Sequence, residues 1–220
     1  LEEAIESVRR QTYPNWELIV VDDCSEDDTW AYLTSVQDPR IRAIRLDRHQ
    51  ERSADRNLGL AEARGEYILF LDDDDRLLPD ALVMLCDALR GHTEAVAAVG
   101  QRVLFDGLGW CRVERDPRLP FVGIVLDEVL LGWVALQGRT LYRTSALREC
   151  GGWDERLAGA EDQELWLRLF LRGPAVFVPQ PVMENRAHPG QWRPRDVERV
   201  EEDFRRDFVQ DLPPNLRLRC

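Results

Sequence analysis

The chain has 220 residues, 44% of them hydrophobic and 32% charged, with 29 Lys and Arg against 41 Asp and Glu and a formal net charge of −12. That length supports one domain with a sizeable core, and the acidic balance argues against a general nucleic-acid binder. The five cysteines are widely spaced and contain no C-x-x-C pair, which indicates neither a zinc site nor a disulfide framework and points to a reducing, cytosolic setting.

No apolar run reaches the length of a membrane span, and the opening residues lack signal-peptide character, so peripheral attachment at the inner face of a membrane stays open. Leu1, Ile5 and Val8 have helical spacing, and the apolar run 16–21 reads as a strand leading into Asp22 and Asp23. A helix over 29–36, a strand over 41–46, a helix over 53–64 closed by Gly65 and a strand over 67–71 follow. This repeated β-α-β order predicts an α/β fold with a mostly parallel, Rossmann-like sheet flanked by helices. Ligands of such sheets bind beyond the carboxyl ends of the strands.

Further on, the pattern predicts a helix over 79–89 and a strand over 95–105. Glycines, prolines and charges break any period over 106–138, which reads as a loop-rich insertion on the acceptor side of the cleft. A strand over 139–143, a short helix over 145–149 and a glycine-punctuated turn over 151–155 come next. An amphipathic helix over 161–171, a short strand over 176–178 and a charged terminal helix over 195–209 complete the chain.

Three acidic groups stand out. The apolar run ending in Asp72, Asp73, Asp74 and Asp75 would bring hard-cation ligands to a strand's carboxyl end; by itself it suits a solvated turn better. Asp22 and Asp23 can accept hydrogen bonds from a ribose hydroxyl or a base N–H, or cap the next helix. Glu161 and Asp162 sit in the first turn of a helix, where the dipole favours acids in any case. Among the cations, Arg56 suits two hydrogen bonds to phosphate or base oxygens, or a surface pair with Asp55.

In order along the chain, VVDDCSEDDT, ADRNLGLAEARGEYILFLDDDD, GGWDE and AEDQELWLRL resemble the inverting family 2 glycosyltransferases of GT-A fold, over residues 1 to about 190. The resemblance implies transfer of a sugar from a nucleotide sugar, UDP-linked, to a saccharide, lipid-linked or other hydroxyl acceptor, as in the making of cell-surface polysaccharide. It implies Asp74 as principal ligand of Mn²⁺ or Mg²⁺, with Asp72 as second ligand or ribose contact, Asp73 in the donor site and His188 as a third metal ligand. By the same resemblance, Asp22, Asp23 and Arg56 hold the nucleotide, Asp162 is the catalytic base and Glu161 assists it. The Gly-Trp-Asp turn implies substrate contacts for Trp153, stacking on a sugar unless it is a core anchor, and for Asp154. The division implied is a nucleotide-sugar half over 1–105, an acceptor and catalytic half over 106–190, and a helical tail over 191–220.

The sequence departs from that family in three ways. An apolar strand that normally precedes the first helix has no counterpart here, so exposed strand edges are expected beside its place. Cys24 stands where glycine is usual, so it must adopt the glycine's turn or change it. Asp55 stands where a small residue is usual. A nucleotidyltransferase, and a glycosyltransferase fold retained as an inactive binding module, are the alternative readings.

Overall fold

Nine strands and six helices are present in the computed structural model among the described residues, which are 1–106, 108–109, 111–114, 122–123, 136–157 and 159–187. Helix α1 (Glu2–Arg9) leads to β1 (Leu18–Asp22), α2 (Thr29–Ser35), β2 (Ile41–Arg45), α3 (Arg52–Glu62) and β3 (Tyr67–Leu69). Strand β4 (Arg76–Leu77), α4 (Ala81–Gly91), β5 (Ala97–Phe105), β6 (Cys111–Glu114) and β7 (Val122–Gly123) follow. Then come β8 (Thr140–Arg143), α5 (Thr144–Cys150), α6 (Glu161–Phe170) and β9 (Ala175–Arg186).

The main sheet runs in the order β3-β8-β5-β9-β4, with β6 added on β5 and β7 on β9, while β1 and β2 form a sheet of their own. The α/β expectation holds, but the sheet is mixed where a mostly parallel one was expected. Among the described residues only β1 with β2 and β5 with β9 pair in parallel; the β3–β8, β4–β9, β5–β6, β5–β8 and β7–β9 pairs are antiparallel. Parallel neighbours need a long crossover between them, and the short link from Phe105 to Cys111 supplies none for β5 and β6. Among the described residues no ladder joins β1 to β3. Leu18 to Val21 on β1 and Tyr67 to Leu69 on β3 are half-buried.

Alternation along the strands divides the core into two layers. On β5, Ala97 and Val99 face a cluster with Leu60, Leu147, Trp153, Leu165, Trp166 and Phe170, contributed largely by α3, α5 and α6. Ala98 faces the opposite cluster, with Val8, Ala81, Leu85 and Leu89 from α1 and α4. Strand β9 obeys the same rule at first, Ala175 and Phe177 on one side and Val176 and Val178 on the other. The register against β5 then shifts around Gln101, opposite Pro181. Pro179 and Pro181 make the sequence read as a strand of three residues, whereas the bulge absorbs them and the strand continues to Arg186.

That continuation gives the acidic turn its shape. Asp75 is 2% exposed. Its carboxylate accepts hydrogen bonds from Asn185 Nδ2 at 2.9 and 2.8 Å and from the Arg186 backbone N–H at 2.9 Å, while its own N–H reaches the Asp72 carbonyl. Burial pushes its pKa up to about 6 against those hydrogen bonds. The fourth aspartate of the run therefore fastens the turn to β9, and Asp72, Asp73 and Asp74 are left facing outward or half-buried. The proposed tail over 191–220, the charged helix within it and His188 lie outside the described residues, as does most of 106–138; β6 and β7 are strands in that insertion that its broken period concealed.

Candidate active site

Helix α3 is the element from which the site is built. Its first turns carry Asp55, Arg56 and Asn57, and its Leu60 is buried in the core. Arg56 points into the cleft with 10% of its side chain exposed. Its Nη1 donates to Asp162 Oδ1 at 2.8 Å and lies 3.7 Å from Glu161 Oε1, while Nη2 lies 3.6 Å from Asp72 Oδ1. The surface pairing of Arg56 with Asp55 that local sequence allowed is not what forms. One guanidinium instead joins the acidic turn after β3 to the first turn of α6, two segments separated by nearly ninety residues.

Three carboxylates share that cation, with Arg52 at the rim 3.3 Å from Glu161. Burial opposes the Arg56 charge, but Asp162, Asp72 and Glu161 together outweigh it and its pKa is raised. A single positive charge does not satisfy all three acids. The Asp162 pKa is raised by burial, with Glu161 adding to it and Arg56 and Trp153 opposing. For Asp72, desolvation in the cleft raises the pKa first and Asp162 and Asp74 reinforce it, against Arg56. Its side chain nevertheless keeps 49% of its exposure, so it remains open to a ligand.

Helix α6 begins under strain. Ala160, immediately before Glu161, has φ 57° and ψ 13°, a left-handed conformation that costs an L-residue ~1–2 kcal/mol. Nothing in the residue type announced this. Cys24 has φ 61°, so the cysteine does adopt the glycine-like turn that its position demanded, and its thiol lies against the Leu46 carbonyl at 3.0 Å.

Asp22 and Asp23 prove unequal. Asp22 is 3% exposed, with Oδ1 accepting from the Ser25 N–H at 3.0 Å and Oδ2 3.4 Å from Arg45 Nε. It braces the turn after β1. Asp23 is more open, accepting from the Gln50 N–H at 2.7 Å and lying 2.6 Å from His49 Nδ1. Of the two, Asp23 is the one with a carboxylate edge toward a ligand.

Trp153 and Asp154 depart from the sugar-contacting expectation. Trp153 is 2% exposed and packs edge-on against Phe70, ring centroids 4.5 Å apart, so it has no free face for a sugar. Its indole Nε1–H donates to Asp162 Oδ1 at 2.9 Å. Asp154 is held by the Arg156 guanidinium and backbone N–H, which pull its carboxyl down to about 2; it closes its own turn. Asn57, which sequence reasoning passed over, clasps that turn from α3: its Oδ1 accepts from the Trp153 N–H at 2.8 Å and its Nδ2 donates to the Trp153 carbonyl at 2.9 Å and to Glu155 at 2.8 Å. Its position beside Arg56 was the available signal. Gly152 has φ 72°, and a Cβ there would stand 2.3 Å from Asn57 Oδ1, so this glycine is required twice over.

Asp55, on the same helix, is a half-buried acid. Its Oδ1 is buried without a hydrogen-bond partner among the described residues, and burial, then Asp23, push its pKa up from 3.8 to about 6. A carboxyl raised in the folded state binds its proton more tightly there than in the unfolded chain. Its unfavourable contribution is therefore absent below pH ~4, grows as pH rises and is complete above pH ~6. Asp55→Asn is expected to stabilise the protein at pH 7.5 by about 1 kcal/mol, after discounting the shift for partial exposure, and to change nothing at pH 4. Urea unfolding at the two pH values checks this; a variant no more stable at pH 7.5 would contradict it.

Among the described residues no three carboxylate, imidazole or thiol side chains form a ready cage for a metal. Asp72 and Asp74 nonetheless suit Mg²⁺ or Mn²⁺, which are bound through one or two carboxylates and take further oxygens from phosphate and water. Asp75 is excluded from that role by its partners on β9.

The family model described as Glycosyl transferase family 2 matches residues 1–151. The succinoglycan biosynthesis protein ExoO of Rhizobium meliloti is 41% identical over 105 residues, 48% of this chain and 28% of that protein. A Campylobacter jejuni protein named GalNAc(5)-diNAcBac-PP-undecaprenol beta-1,3-glucosyltransferase is 42% identical over 122 residues, 54% of this chain and 36% of its own. The crystal structure of an S. aureus TarS fragment in complex with UDP-GlcNAc matches with a TM-score of 0.79 at 20% identity, covering 98% of this chain and 65% of that one. At that identity the likeness establishes the fold. The chain spans less than two thirds of the length of the curated relatives it matches. No helix among the described residues is long and apolar enough to cross a membrane.

Proposed function

Since the chain belongs to glycosyl transferase family 2, we propose that it moves a sugar from a nucleotide sugar, UDP-linked, to an acceptor hydroxyl with inversion at the anomeric carbon. The observation that carries this reading is the meeting of Asp72, Glu161 and Asp162 on one buried guanidinium, Arg56. A donor-side acid and a candidate base thus face the same cleft.

Asp23 lines the nucleoside side, with Asp22 bracing the turn that carries it, and Arg56 turns its remaining N–H groups to the diphosphate. Asp74 and Asp72 would hold a divalent ion, which would supply charge compensation for the diphosphate as it leaves. Asp162 takes the proton from the acceptor hydroxyl as that oxygen attacks the anomeric carbon from the side opposite the nucleotide. The bond to the diphosphate breaks with its electron pair leaving on the phosphate oxygen, so an α-linked donor gives a β-glycoside. Glu161, 7% exposed and close to both Arg52 and Arg56, keeps those cations in place beside the base. The named Campylobacter relative supports a lipid-linked saccharide as acceptor class; the location proposed with it is the cytoplasmic face of a membrane.

Calorimetric titration of UDP with and without Mn²⁺ tests the donor half. Binding is expected to need Mn²⁺ and to weaken by at least about tenfold in Asp74→Ala, the loss of one of two protein ligands. Equal affinity without the metal, or an unaffected Asp74→Ala protein, overturns the assignment of the acidic turn.

A further inference from the structure

Asp162 receives both of its hydrogen bonds on the same oxygen. Arg56 Nη1 reaches Oδ1 at 2.8 Å and Trp153 Nε1 reaches it at 2.9 Å; among the described residues nothing hydrogen-bonds to Oδ2. The side chain keeps 23% of its exposure. The two oxygens of this carboxylate are therefore chemically distinct before any substrate arrives.

Trp153 is built not to move. Its backbone N–H and carbonyl are both clasped by the Asn57 amide, and the turn before it is fixed by Gly152 at positive φ with no room for a side chain. Its ring is wedged edge-on against Phe70 at an interplanar angle of 73°, and Phe70 lies two residues before Asp72. The indole N–H is thus aimed by α3 through Asn57 and, through Phe70, by the segment that follows β3. Indole has a single donor and no acceptor, so it fixes one carboxylate oxygen without competing for the proton. Buried tryptophan is expected to find such a partner; here the partner is the candidate base.

We propose that Trp153 is the positioning residue of the base: its indole N–H occupies Asp162 Oδ1, turning Oδ2 to the acceptor as the oxygen that takes the proton. This rests on the reading of Asp162 as the base. In the step it serves, the acceptor O–H proton passes to Oδ2, the acceptor oxygen bonds to the anomeric carbon, and the diphosphate leaves with the electron pair of the broken bond. Trp153 itself touches neither substrate. It holds the carboxylate plane against the rotation that would present either oxygen at random.

The test replaces Trp153 by 3-benzothienyl-alanine, which keeps the shape and exchanges the N–H for sulfur, alongside Trp153→Phe. Release of UDP is followed from UDP-glucose and UDP-N-acetylglucosamine. Because a misplaced catalytic group loses rate and not donor affinity, kcat is expected to fall about 10- to 100-fold with the donor KM within about twofold and the benzothienyl variant's thermal midpoint unchanged. In an Asp162→Asn background the same replacement is expected to produce no further loss. A purely structural Trp153 would lower the midpoint and leave kcat intact in the benzothienyl variant; that result overturns the positioning role while an inactive Asp162→Asn protein leaves the base standing. A fully active Asp162→Asn protein, or a wild type that releases UDP from neither donor, overturns the reading on which the proposal rests.

Discussion

An Asp162→Asn protein is expected to lose sugar transfer by ~10²–10⁴-fold, the usual worth of a general base, while binding UDP and Mn²⁺ as the wild type does. Asparagine is nearly isosteric with aspartate, and its amide oxygen still accepts from Arg56 Nη1 and Trp153 Nε1 at the site of Oδ1. Its amide nitrogen then stands where Oδ2 was, a donor without proton affinity. Folding should not suffer, since burial already disfavours the charged carboxyl at this position. Thermal melts, UDP calorimetry and initial rates on one preparation separate these effects. Full turnover would sink the assignment of the base, and lost UDP binding would show that Asp162 serves the donor.

The second large effect is expected at Arg56. Arg56→Ala leaves Asp162, Glu161 and Asp72 without the guanidinium they share. Removing one partner of a buried ion pair costs about 3–5 kcal/mol, and the partial exposure of Asp72 and Asp162 puts this case at the lower end. The loss is also expected to depend on pH in a definite direction. Arg56 is the main influence holding down the pKa of both Asp72 and Asp162, each already raised by desolvation. Without it both rise further, so the folded variant takes up protons and regains stability as pH falls below neutrality. Urea unfolding at pH 7.5 and 5.5 should show the deficit shrinking at the lower value; a deficit that grows there would be incompatible with this arrangement. Arg56→Lys keeps one charge but cannot fork toward carboxylates on two segments, and should restore stability better than transfer.

These expectations rest on contacts between segments far apart in the chain, and that is where local reading ran out. The strands after Trp16, Ile41 and Tyr67 and the helices of the first ninety residues could be placed to within a few residues, because period, caps and breakers are local properties. Strand β9 could not: two prolines within four residues argue against a strand, and only pairing with β5 across a register shift carries it through. The left-handed Ala160 gave no sign in the sequence. Cys24 did, because a cysteine in a glycine's place predicts its own strained turn.

Motif order in the amino-acid sequence was enough to name the family, the α/β fold and the acidic groups of the cleft, since each motif is a short run whose residue types carry their own chemistry. How those groups divide the work depended on three dimensions. Four consecutive aspartates look alike along a chain; Asp75 differs from Asp72 because Asn185 and Arg186, about 110 residues away, claim its carboxylate. Trp153 reads equally as a sugar platform or a core anchor until Asn57, 96 residues away in sequence, fixes its backbone. Arg56 pairs across 106 residues with Asp162. Such pairings have no local period, because they are settled by which buried charges and donors the packed helices α3 and α6 bring within reach of one another.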